Sequence, residues 1–194
     1  MNHDFTERLA GVKTHLTNLR KQHEATRALE EVAVKEVTEI GEWYSSCVRA
    51  FTNKQDDETP ATVVQARECY NAAVAKFKQL ADAVNIYSKE IAYYKRTEII
   101  LTLLLENAAE KDRLEMSLQN ATTTAQLAHD QHTAILLQME INDHNSGDLT
   151  KALEVAHAAA TAANDALGQL IQESAVVSEA YKTIMAEWDD LRVD

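Results

Sequence analysis

The sequence predicts an all-α protein: a single domain over 1–194, built as an elongated antiparallel bundle of three long coiled-coil helices. Two observations carry this. Four glycines and one proline in 194 residues leave few places for turns, and no stretch alternates at period two. Apolar residues instead recur at alternating steps of three and four along three long stretches, the heptad spacing of a helix that needs a partner along its length.

The first helix is expected over about 4–52. Its seam reads Phe5, Leu9, Val12, Leu16, Leu19 and His23, slips in phase near Leu29, and resumes through Ala33, Val37, Ile40, Tyr44, Cys47 and Phe51. Asn53 to Glu58 is a polar turn with three acids, a favourable flank for a helix N-terminus.

The middle helix is expected over about 60–142. Thr59 can cap it, and Pro60 suits the first helical position, where its missing N–H costs nothing. Val63, Ala66, Tyr70, Ala73, Phe77, Leu80, Val84, Tyr87, Ile91, Tyr94, Leu101, Leu105 and Ala108 form its seam, broken only at Glu98. From Ile99 to Leu105 the helix becomes apolar all round, so it needs cover from more than one side. Ala109 to Arg113 is then charged where apolar residues are expected, and the pattern restarts out of phase at Leu114, Leu118, Ala121, Ala125, Ala128, His132, Ile135 and Met139. Neither Gly nor Pro interrupts it, so a continuous helix with a stutter is expected. A break near 109–113 would give a four-helix bundle instead. The β-branched run Thr122–Thr124 argues weakly for that alternative.

Asn142 to Asp148 reads as a loop, and the last helix follows over about 149–192. One row of its seam is Leu149, Ala156, Ala163, Leu170, Val177, Ile184 and Leu191. The other is Leu153, Ala160, Leu167, Ser174, Tyr181 and Trp188. Folding the first and last helices back along the middle one brings both chain ends to Ile99–Leu105. Ile99, Ile100, Leu101, Leu104, Leu105, Trp188 and Leu191 are therefore the candidate interaction or dimer core. A thin bundle leaves apolar surface uncovered, which favours a homodimer.

The formal net charge is −12, which disfavours nucleic acid as a partner because phosphate binding needs clustered Lys and Arg. Only three of the nineteen Lys/Arg lie after residue 113, so a basic partner would prefer the second half. The polar start Met1-Asn2-His3-Asp4 suggests no signal peptide, and no apolar run is long enough to span a bilayer. Cys47 and Cys69 are poorly placed to bridge and read as reduced thiols of a cytoplasmic protein.

No residue set reads as catalytic, and no cofactor is expected. His129 and His132 share a helical face, and Glu154-x-x-His157 is a single metal-type spacing. A bundle di-metal site needs two such pairs and two more glutamates, so both are read as solvated polar residues and no metal is expected. Glycine-rich phosphate loops are absent. Lys89, Tyr93, Lys95 and Arg96, with Tyr94 on the seam, form a candidate polar contact patch.

The stretch Ile91-Ala92-Tyr93-Tyr94-Lys95-Arg96, the C-terminal Tyr181-Lys182-Thr183-Ile184-Met185-Ala186-Glu187-Trp188-Asp189 and the spacing between them resemble BAR domains of the sorting-nexin type. That resemblance implies a dimeric helical scaffold and, in many of its members, membrane-curvature sensing. Leu114 to Thr150, the tip in such a layout, contains no Lys or Arg, which disfavours membrane association. The expected function is a non-enzymatic scaffold that self-associates and binds other proteins. A BAR-like module of membrane trafficking is the alternative, and a metal-binding bundle enzyme the third.

Overall fold

The structure is a computed structural model that describes residues 2–53, 60–141 and 147–191. Among the described residues there are three helices and no strand: α1 Asn2–Thr52, α2 Pro60–Ile141 and α3 Gly147–Leu191. The Thr59 cap and most of the two expected turns lie outside the described residues.

Helix α2 starts on Pro60 and runs without interruption through 109–113, so the four-helix alternative does not form. Arg113 pairs with Glu110 one turn earlier in that charged stretch. The threonine run is accommodated too: Thr122, Thr123 and Thr124 donate their hydroxyls to the carbonyls of Leu118, Gln119 and Asn120 at 2.8, 2.9 and 3.0 Å. Asp4 and Asp148 lie in the first turns of α1 and α3, and Arg49 in the last turn of α1, each favourable to the helix dipole.

Packing divides the chain into two compact units. Unit 1 is Met1–Glu7 with Ile99–Asp194; unit 2 is Arg8–Glu98. In unit 2, α1 and α2 run antiparallel, since His23 meets Ser88, Glu36 meets Lys76 and Tyr44 meets Tyr70. The α1 seam there is unbroken. Leu16, Leu19, Ala33 and Cys47 are buried, and Val12, His23, Thr26, Glu30, Val37, Ile40 and Tyr44 are half-buried between them. The slip expected near Leu29 does not occur, and Leu29 is 58% exposed. The heptad passes through three polar residues, His23, Thr26 and Glu30, so hydrophobicity loses the phase that the helix keeps.

On the α2 side of unit 2, Ala66 and Ala73 are buried, while Tyr70, Phe77, Leu80, Val84, Tyr87, Ile91 and Tyr94 are half-buried. Gly41 admits Tyr70: a Cβ at 41 would lie 3.2 Å from the Tyr70 ring.

In unit 1, α2 and α3 are also antiparallel, with His132 beside His157 and Leu114 sharing a cavity wall with Val176 and Val177. Here α2 buries two phases. Leu101 and Ala108 continue the series of Ala66 and Ala73. Ile100, Leu104, Leu114, Ala125 and Ala128 form a second series set one residue earlier in the heptad. The out-of-phase restart is thus a second seam, already present at Ile100. The charged stretch marks where the first seam ends. From α3, Ala156, Trp188 and Leu191 are buried, and the Phe5 ring meets Trp188 edge-on at 6.4 Å.

Candidate interaction surface

The apolar segment of α2 is not uniformly covered. Leu101 and Leu104 have no exposed surface, Ile100 is 2% exposed, and Leu105 is half-buried. Ile99 is 60% exposed and Leu103 39% exposed. These two lie four residues apart on α2, hence on one helical face, and form an open apolar ridge directly beside the buried leucines. Trp188 and Leu191 are buried in the same unit, with Phe5 packed against Trp188. Phe5 near the start of α1 and Trp188 near the end of α3 therefore meet within unit 1. Of the seven apolar residues that the sequence singles out, only Ile99 stands exposed.

The polar patch belongs to unit 2. Lys89, Tyr93, Lys95 and Arg96 are exposed on α2. Tyr93 meets Tyr94 edge-on at 5.2 Å, and Tyr94 packs against His15 of α1 with ring centroids 4.4 Å apart. The aromatic half of the patch is thus held by α1, while its three cations face solvent. His15 was not legible as a member, because it lies off the α1 heptad seam and only the helix crossing brings it to Tyr94.

Shallow cavities line the helix pairs. One of about 520 Å³ lies over Gly41, Tyr44 and Tyr70; one of about 380 Å³ lies between Glu110, Leu114 and Val176, and one of about 240 Å³ between His129, Asn164 and Leu167. Cys47 is buried on the α1 seam and Cys69 is exposed on α2. Glu110 and Arg113 carry shifted pKa values. The hydrogen bonds from Arg113 hold the Glu110 carboxyl below its usual value, and Glu110, with a smaller contribution from Glu173, raises Arg113. Arg113 is exposed and Glu110 half-buried, so the pair lies at the surface and is screened by solvent.

The histidines differ from the sequence reading in one respect. His132 sits half-buried on the α2 seam and His157 is exposed just off the α3 seam, yet their rings lie 5.4 Å apart, tilted by 45°. Their different seam positions do not separate them, because facing helices interleave neighbouring heptad positions. Among the described residues no three His, Cys, Asp or Glu side chains converge, and no helix is long and apolar enough to cross a membrane. No family model matches this chain, and neither a curated protein nor a solved structure matches it.

Proposed function

We propose that the protein is a non-enzymatic helical scaffold that self-associates as a homodimer through α2 and presents helical surfaces to other proteins. The observation that carries this reading is the open ridge of Ile99 and Leu103 beside the buried Ile100, Leu101 and Leu104. A helix apolar on every side, left uncovered on one side, offers a ready contact for a further helix. The closed symmetry of a dimer covers such a ridge with the same ridge of a second copy.

Sedimentation equilibrium of wild type, Ile99→Glu and Leu103→Glu tests the proposal. The wild-type chain should be dimeric. Both variants should be monomeric with unchanged helicity, since each substituted side chain is already solvent-exposed. A monomeric wild type, or dimers that survive both substitutions, would overturn the reading. Salt-sensitive pelleting with anionic vesicles would instead favour the BAR-like membrane module.

A further inference from the structure

We infer that His132 and His157 together form a binding site for a divalent transition-metal ion of the zinc, nickel or copper type, one that ties α2 to α3 within unit 1. The two rings come from different helices, and their centroids lie 5.4 Å apart. Two imidazoles sharing one ion at metal–nitrogen distances of about 2.1 Å place their centroids roughly 5 Å apart when the angle at the metal is near tetrahedral. The 45° tilt is neither a stacked pair nor an edge-on one. Imidazole suits these ions, whereas magnesium and calcium prefer oxygen.

The surroundings favour the site. His157 is exposed and His132 half-buried, so an ion can enter from water while keeping water as its remaining ligands. Among the described residues no third His, Cys, Asp or Glu converges on the pair. Two protein ligands therefore set the affinity, and water completes the coordination shell. The buried residues nearest in sequence are small, Ala128 and Ala156, while the larger Ile135 and Leu153 are only half-buried. Alanine burial contributes little per residue, so a metal cross-link acts here where apolar packing between α2 and α3 is thin.

An ion bound by the folded chain and not by the unfolded one raises stability in proportion to the logarithm of its concentration over Kd. The experiment is thermal unfolding of the untagged full chain in zinc chloride and in EDTA, with isothermal titration of zinc on the same samples. The wild type should bind one equivalent. Its unfolding midpoint should rise by roughly 5–10 °C at a free zinc concentration about a hundred times Kd. His132→Ala and His157→Ala should each abolish both the heat of binding and the shift, while melting in EDTA close to wild type. His129→Ala, which alters a histidine one turn away on α2, should keep both. Absence of binding by the wild type would overturn the assignment. So would a shift that persists in either pair variant, or one that is lost in His129→Ala.

Discussion

The two units use the same heptad to different depths. In unit 2, two antiparallel helices bury Leu16 and Leu19 of α1, yet on the α2 side Tyr70, Phe77, Leu80, Tyr87 and Ile91 are only half-buried. In unit 1, where Met1–Glu7 joins α2 and α3, Ile100, Leu101, Leu104 and Leu114 are sealed at 2% exposure or less. Hydrophobicity does not explain this, since Phe77 and Ile91 are as apolar as Leu104. The physical difference on α2 is that Met1–Glu7 joins α2 and α3 in unit 1, and a second partner can cover the side of a seam residue that one partner leaves open. Unit 2 compensates with cross-helix polar contacts, Lys76 Nζ donating to Glu36 at 2.7 Å and His23 meeting Ser88 at 3.1 Å.

The largest expected effect tests that contrast directly. Leu104→Ala should destabilise the protein by about 2–5 kcal/mol in urea unfolding, because the site cannot collapse around the lost atoms. Leu80→Ala should cost less, about 1 kcal/mol, since part of that side chain already faces water. Equal costs at the two sites would break the comparison. Leu104→Glu should abolish folding outright, as it buries an unpaired charge.

Glycines sharpen the picture at a smaller scale. Gly11 in unit 2 and Gly168 in unit 1 have nothing within 4 Å of where a Cβ would stand. Alanine at either should stabilise by up to about 1 kcal/mol through helix propensity alone. Gly41→Ala should fall short of that gain, because its Cβ would lie 3.2 Å from the Tyr70 ring and displace it from the stack with Tyr44. Thermal melts of the three variants check the order, and a gain at Gly41 equal to the others would show that Tyr70 yields freely.

Smaller still is the polar lock of unit 2. Lys76→Met should cost less than about 1 kcal/mol and lose its effect in high salt, because both partners remain solvent-exposed. The Glu110–Arg113 pair gives the smallest change, visible only in its pH dependence. Arg113 lowers the Glu110 pKa on folding, so the pair's contribution is present above the ordinary glutamate range. It is lost as pH falls through the lowered folded value. Wild type and Glu110→Gln should therefore differ slightly near neutrality and converge in acid; a difference that grows in acid would contradict the sign.

Much of this fold was legible because helix periodicity is a local property. Pro60, the three heptad series and the absence of Gly or Pro through 109–113 identify three helices without reference to any neighbour. The phase of α1 between His23 and Glu30 was not legible, because polar residues occupy seam positions that only the opposing helix reveals. Nor could the sequence say which side of the Ile99–Leu105 segment stays open. Every residue there except Thr102 is apolar, and hydropathy does not distinguish the exposed Ile99 and Leu103 from the sealed Leu101 and Leu104. The nearness of His132 and His157 had no sequence signal either, for they lie 25 positions apart and off a shared register. Periodicity determines that a helix has a face to bury; how many segments cover that face, and which side chains meet across it, depends on rotation and crossing set by packing of the whole chain.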